Sequence, residues 1–425
     1  MQTVELGPVS QDDQTQRPFD LFLIFAGANI VATTLQVGAT LARPLGFRPA
    51  MWIVAGGGIG GALLVAALAP LGPRLRVPSI IACRAALGFS GAHALAWLLV
   101  VTNFGWIALN NVIAASICAT LAGGPTSVPW WAVGLGVLAT VIVAGGPRFV
   151  GHTDRIAVPL LVVSGAVITV ACFRARLPVE TAGGGSPSDW MRGLDVTAGY
   201  QVSWLLMFAD YTRYVRSPRR AGVAVFLGLA VTALWFMPLG FVAARVAGSD
   251  DPGTMIAALG VGWWGALLIS VATLTTNFVN IYMSALALKS LRPAMADQTS
   301  VWTIGGLGAA LSVLSTVWIA RFADFTLLLA GLLVPVGGIL LAHNFILRRA
   351  IAIPDLYDRV GRYTRHRGWS IPGAAAWAIG AVVFYAAGSL GGVLPSLVAS
   401  IVVYVLSSLR ESAIAEPSTT DRRYR

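Results

Sequence analysis

Apolar runs of about 20 residues, parted by short polar or Gly/Pro-rich stretches, recur along the chain from residue 20 to residue 409. Each such run is long enough to cross the hydrocarbon core of a bilayer as a helix. The pattern predicts twelve spans, near 20–42, 50–72, 84–121, 128–146, 156–173, 193–212, 221–246, 258–288, 301–319, 325–347, 371–388 and 391–409. The third and eighth are longer than a bilayer requires, which predicts tilt or extension beyond it. Two longer polar stretches interrupt the series, GGGSPSDWMRG at 183–193 and the basic stretch between the tenth and eleventh spans. The expected division is a cytoplasmic N-terminal tail over 1–19, a ten-helix core over 20–347, a cytoplasmic basic loop over 348–370, two appended helices over 371–409 and a cytoplasmic C-terminal tail over 410–425.

Composition agrees with this reading. Of 425 residues 56% are hydrophobic and only 11% charged, against roughly 25% charged in a soluble domain. The net charge of +11 raises the question of a nucleic-acid partner, and the placement of the charges answers it. With both termini in the cytoplasm, 22 of the 29 basic residues fall on the cytoplasmic side and 7 on the other, as the positive-inside rule requires. The basic balance therefore points to membrane lipid as partner, with no nucleic acid, in a multi-pass protein of the cell (inner or plasma) membrane. The polar, mildly acidic N-terminus lacks the basic region of a cleaved signal peptide. Cys83, Cys118 and Cys172 lie in or beside apolar segments without paired spacing and read as packing residues.

No Asp or Glu lies mid-span, so a buried carboxylate relay is not expected. Amides, hydroxyls and aromatic rings take that place. In span eight, Thr273, Thr276, Asn277, Asn280 and Ser284 fall within one helical stripe about 100° wide, and Ala272, Thr275 and Thr276 form a neighbouring face. Such a stripe either bonds to adjacent helices or lines a binding site. In span three, Asn103, Trp106 and Asn110 share a face, an aromatic surface with amides beside it that suits a flat ring with a polar edge. In span one, Ala26, Gly27, Ala28 and Asn29 are small and polar at mid-membrane, where a helix can unwind and free carbonyls for a cation. In span six, Gly199, Tyr200, Gln201, Ser203 and Trp204 offer a second break. The two lie five spans apart, as an inverted five-plus-five repeat predicts. Pro335, Gly337 and Gly338 in span ten mark a hinge or a simple proline kink. GGGIGG at 56–61 matches a dinucleotide fingerprint only in letters. It lies in an apolar span without a preceding strand and reads as close helix packing. His93 and His343 have no ligand partners at metal spacing, and no nucleophile–base set supports an enzyme.

ADYTRY at 209–214, SIIACRAALGFSGA at 79–92, GW…N at 105–110, TTN…N at 275–280 and PVGGILLAH at 335–343 together resemble the nucleobase:cation symporter-1 family. The resemblance runs from about residue 20 to 409. It implies an all-α integral membrane protein of twelve helices, ten of them in a leucine-transporter-type 5+5 inverted repeat with helices 1 and 6 broken. It implies cation-coupled uptake of a nucleobase such as cytosine or a purine by alternating access. The alternatives are another planar heterocycle (a hydroxymethylpyrimidine thiamine precursor, hydantoin or allantoin) or coupling to protons. Carried over by position, the cation site is Gly27, Ile30, Ala272, Thr275 and Thr276, with Na+ as coupling ion and no cofactor. A register one residue later would put Ala28 and Val31 in the span-one role. The substrate set is Trp106, Asn110, Tyr200 and Asn280, with Gln201, Asn277 and Asn29 as further polar contacts, and the ring is expected between Trp106 and Tyr200. A monomer is compatible with all of this.

Overall fold

A computed structural model describes residues 7–145, 147–175, 183–292, 294–358 and 360–415. The first six residues of the expected N-terminal tail and the last ten of the C-terminal tail lie outside the described residues. So do the side chains of 147–158, 286, 289–290, 365 and 412–415, Arg148, Arg155 and Lys289 of the charge pattern among them. Every described element is helical. The helices are α1 (Pro18–Asn29), α2 (Ala32–Ala42), α3 (Phe47–Leu68), α4 (Leu71–Leu75), α5 (Ser79–Leu121), α6 (Val128–Ala144), α7 (Pro147–Arg174), α8 (Pro187–Val202), α9 (Pro218–Ala247), α10 (Pro252–Ala258), α11 (Gly262–Leu291), α12 (Asp297–Leu311), α13 (Ser315–Ala320), α14 (Phe322–Leu341), the single turn α15 (Arg365–Gly368), α16 (Ile371–Ala386) and α17 (Val393–Ala415). Among the described residues eight helices are long and apolar enough to cross a membrane, and the bent pair α1–α2 makes a ninth. The remaining expected spans are α7, whose apolar part is Pro159–Arg174, α8 with its 3-10 continuation, and the 15-residue α12.

Local sequence explains many of the starts. Proline in the first turn opens α1, α8, α9 and α10, where its missing N–H costs nothing. Ser186, Ser217, Asp251 and Ser370 accept from the backbone N–H three residues on, the usual N-cap bond. Ser186 also donates its hydroxyl and its backbone N–H to the Asp189 carboxylate, which holds that exposed carboxyl below its ordinary range. At the foot of α5, Ser79 donates its hydroxyl to Asp210 at 2.6 Å and accepts from Ala209 N–H. That carboxylate therefore serves as a helix-end anchor.

Several expected boundaries move. In span one, 26–29 stays helical and the break comes at Ile30 (φ −88°, ψ 66°) and Val31 (φ −141°, ψ 161°), with a 52° bend between α1 and α2. Val31 takes the extended backbone that β-branched residues favour, and Ile30 before it leaves the helical region. The second break lies where α8 tightens into a 3-10 turn over Ser203–Met207. Gly199 stays inside α8, where a Cβ would stand 2.8 Å from Ala330 Cβ on α14. Span nine stops at Leu311 rather than 319, and the short α13 follows. The helix α10 was not foreseen. Span ten runs unbroken through Pro335, then loosens into a π-turn over Ala342–Ile346.

Small residues fix how the helices meet. Gly57 and Gly61 of GGGIGG bring α3 against the α8 carbonyls of Leu194 and Ala198, at 2.9 and 2.7 Å from where a Cβ would be. On α2 and α9 two glycines face each other's backbone. A Cβ on Gly38 would collide with the Met237 carbonyl, and one on Gly240 with the Leu35 carbonyl. The last two helices are bound into the same packing. Trp377 donates to the Leu332 carbonyl at 2.9 Å, Ser396 to Gly380 at 2.8 Å, and Asp195 accepts from Gly392 and Val393 N–H at the head of α17. The N-terminal segment docks on one end of the bundle, where Val9 N–H donates to Arg76 and the Gln14 amide to Pro73, Arg213 and Val215 carbonyls.

The α2–α9 crossing yields a direct test. Gly38→Ala or Gly240→Ala should destabilise by about 1–3 kcal/mol through overpacking, seen as a lower thermal midpoint of the detergent-purified protein. Gly134→Ala, with open space around it, should leave the midpoint unchanged or slightly raised.

Candidate functional site

The two breaks, α5 and α11 meet around a small cavity of about 30 Å³. From α5 it is lined by Asn103, Trp106 and Asn110, and from α11 by Thr276 and Asn280. The first break contributes Ala28 and Thr33, and the second Tyr200, Ser203, Trp204 and Met207. The α5 residues share a face because they sit one and two turns apart, and α5 and α11 pack along much of their length. Asn110 donates to the Trp106 carbonyl at 2.9 Å, and its buried carbonyl oxygen has no partner. Asn103 donates to the Ser284 hydroxyl at 2.7 Å. The Tyr200 hydroxyl shares hydrogen bonds with Thr33 at 3.0 Å and Thr34 at 2.7 Å, so the second break is tied to the first across the site.

A second cavity, of about 200 Å³, adjoins the first and shares Ala28, Trp204 and Thr276 with it. It separates the Gly27 and Ala28 wall on α1 from Thr275, Thr276 and Val279 on α11. Its remaining walls are apolar, among them Leu23, Ile24 and Leu161. Thr275 donates its hydroxyl to the Ala272 carbonyl at 2.7 Å, which leaves its oxygen lone pairs available on the cavity side. Of the five residues expected at the cation, Gly27, Thr275 and Thr276 line this space. Ile30 and Ala272 are not among its lining residues and are buried in the apolar core.

Three residues expected at the substrate are placed elsewhere, and the structure corrects those expectations. Asn29 turns away from the cavity and donates its amide to the Leu229 carbonyl at 3.2 Å and the Thr232 hydroxyl at 2.9 Å on α9. Gln201 donates to the same Leu229 carbonyl at 2.9 Å. Asn277 faces α5, donating to the Ile107 carbonyl and at 2.7 Å to Asn111 Oδ1. The physical reason is shared. A buried amide N–H that meets an oxygen of a neighbouring helix gains by donating to it. The expected slot between Trp106 and Tyr200 is also closed, since the rings touch edge to face at 5.6 Å and 80°.

Sequence reasoning missed Thr33 and Phe325. Thr33 follows the break by two residues, so moving the break to Ile30–Val31 would have brought it in. Phe325 stacks edge-on with Trp106 at 5.1 Å from α14, and its position near the start of an apolar helix gave no signal.

Comparison with known proteins places this geometry. A sequence model of the permeases for cytosine/purines, uracil, thiamine and allantoin matches residues 8–405. The cytosine permease of Escherichia coli (strain K12) is 23% identical over 357 residues, 81% of each chain. The allantoin permease of Bacillus subtilis (strain 168) is 23% identical over 434 residues, 89% of this chain and 86% of the other. YxlA of the same bacterium, named as a purine-cytosine permease, is 27% identical over 252 residues. That match takes in 56% of this chain and about half, 52%, of its own length. Among solved structures, the inward-facing conformation of Mhp1 overlays with a TM-score of 0.80 at 20% identity, covering 97% of this chain and 94% of the other. Mhp1, a nucleobase-cation-symport-1 family transporter, in a closed conformation with bromovinylhydantoin bound gives 0.78 at 19%, covering 98% and 97%. MhsT in complex with L-phenylalanine gives 0.57 at 15%, covering 94% and 99%. The fold is thus that of the leucine-transporter type, the protein is a multi-pass membrane transporter rather than an enzyme, and the chain belongs to the nucleobase:cation symporter-1 family of permeases for cytosine/purines, uracil, thiamine and allantoin.

Proposed function

We propose that this protein takes up a nucleobase, such as cytosine or a purine, by alternating access coupled to Na+. The observation that carries the reading is the position of Thr276. It lines both the cavity bounded by Trp106, Asn110 and Asn280 and the adjoining one bounded by Gly27 and Thr275. One hydroxyl thus borders a space suited to a planar ring and a space suited to a cation.

The ring would lie against Trp106, with its polar edge met by Asn110 and Asn280. The unpartnered Asn110 Oδ1 is an acceptor for a ring N–H or amino group. Each such contact contributes about 1 kcal/mol, up to roughly 3 where a buried group would otherwise stay unpaired. Several together reach micromolar affinity, about −8 kcal/mol. A cavity of about 30 Å³ is close to the volume share of one water molecule. Ring entry therefore requires Trp106 and Tyr200 to part, which loosens the Tyr200 bonds to Thr33 and Thr34 and so links substrate to the first break. The Gly27 carbonyl and the Thr275 and Thr276 hydroxyls, with the Ile30 and Ala272 carbonyls of the expected set, are neutral oxygen donors of the kind Na+ takes. The mid-span regions offer no carboxylate for a proton. In the proposed topology both termini lie in the cytoplasm of the cell membrane.

Counterflow of labelled cytosine, uracil, adenine, hypoxanthine and allantoin in proteoliposomes, with and without sodium, tests the reading directly. Saturable, sodium-stimulated exchange of a nucleobase is expected. Exchange of allantoin alone, or indifference to sodium, would overturn the assignment of cargo or ion respectively. Trp106→Ala should raise the half-saturating substrate concentration about tenfold or more, while Trp106→Phe should recover part of it. Thr275→Ala should raise the sodium concentration for half-maximal uptake about tenfold and leave substrate affinity at saturating sodium nearly unchanged. Thr276→Ala should shift both. By contrast Asn277→Ala and Gln201→Ala should cost about 1–3 kcal/mol of stability and leave the half-saturating substrate concentration within about twofold, measured by thermal unfolding alongside uptake.

A further inference from the structure

Outside the candidate site a cavity of about 370 Å³ opens between the bent foot of α5, the end of α14, the 349–370 loop and the end of α17. Its wall carries Arg349, Arg362 and His366 against a single carboxylate, Glu411. His343, 4% exposed, also lines it. Its Nδ1 is engaged by the Tyr404 hydroxyl at 2.7 Å, and its Nε2 has no hydrogen-bond partner. The π-turn over Ala342–Ile346 presents this histidine, an irregularity that often accompanies a functional site. Trp369 adds an aromatic wall.

We infer that this cavity binds a phosphate-bearing anion, either free or carried on a lipid headgroup. The guanidinium groups of Arg349, which also donates to the Ser408 carbonyl, and of Arg362 stand against the Glu411 carboxylate, and guanidinium forks match phosphate oxygens in pairs. The orphaned imidazole nitrogen at the floor supplies a further polar contact. The space exceeds a bare phosphate and takes the organic part of its bearer against Trp369. The cavity lies at the end of the bundle toward which the basic residues are concentrated, where anionic headgroups and soluble phosphates both reach it.

Occupancy would act on transport through α5. At Gly88 (φ 81°, ψ 174°) α5 bends, and the loop fills the bend. Ser370 N–H donates to the Leu87 carbonyl at 2.9 Å, and Ser90 donates to the Arg367 carbonyl at 2.8 Å. His366 and Arg367 hold left-handed backbone there, at φ 52° and 60°. An anion fastening His366 and Arg362 to His343 would hold the loop in the bend, and with it the helix that carries Trp106 and Asn110.

The test uses the full chain in detergent. Its thermal midpoint is titrated with inorganic phosphate and with dioctanoyl phosphatidic acid, against chloride at equal ionic strength and dioctanoyl glycerol as headgroup-free control. A saturable rise with phosphate identifies a free anion, and one with the lipid alone identifies a headgroup. Either supports the inference. Arg362→Gln should weaken the apparent affinity about tenfold, and Glu411→Gln should strengthen it severalfold. Both side chains are exposed, so the fold tolerates the changes. No rise beyond the controls with either probe, or a rise that both substitutions leave unaltered, would overturn it.

Discussion

One backbone carbonyl organises much of this molecule. Where helices break inside a bilayer, freed polar groups find no water and must be paired within the protein. Both breaks lean on the Leu229 carbonyl of α9, which accepts the amides of Asn29 from the first break and Gln201 from beside the second. Thr34 closes the Asn29 carbonyl at 2.7 Å, and Ser203 closes that of Tyr200 at 2.6 Å. These bonds pair polar groups at both interrupted helices within the protein. The glycine contacts between α2 and α9 follow from the same demand, since α9 must come close to reach both breaks.

That constraint decides which polar residues remain at the cavity. Asn29, Gln201 and Asn277 are consumed in holding helices together. Asn110 and Asn280 keep access to the cavity, and Trp106 is held by Tyr200 on one side and Phe325 on the other. The Tyr200 hydroxyl, shared with Thr33 and Thr34, makes the aromatic wall and the first break parts of one network. Through Tyr200 the cavity beside Trp106 is bonded to Thr33 and Thr34 just after the first break, and Gly27 and Ala28 just before it border the neighbouring cavity.

The outer helices serve the same centre. Asp195, midway along α8, accepts from the N–H groups of Gly392 and Val393 at the head of α17, and Trp377 of α16 donates to α14. The end of α14 then carries His343 into contact with Tyr404 of α17. The basic loop between α14 and α16 closes over the bend in α5, so the helix bearing Trp106 is gripped at its foot as well as at its middle.

Twelve apolar segments and the asymmetry of basic charge were legible in the chain because they depend on local composition and spacing. So were the faces of α5 and α11, since helical periodicity alone sets Trp106 beside Asn110 and Thr276 beside Asn280. The exact break was not legible from small residues. Val31 takes the extended backbone after Ile30 leaves the helical region, and the neighbouring α9 supplies the oxygens that pair the Asn29 amide beside it. Nor could the sequence say which way an amide turns. Asn277 and Asn280 lie on one stripe three residues apart, yet one bonds to Asn111 and the other borders the cavity. Periodicity fixes the direction of a side chain from its own helix, while the carbonyl or open space that it meets belongs to another helix, and only tertiary packing brings that into place.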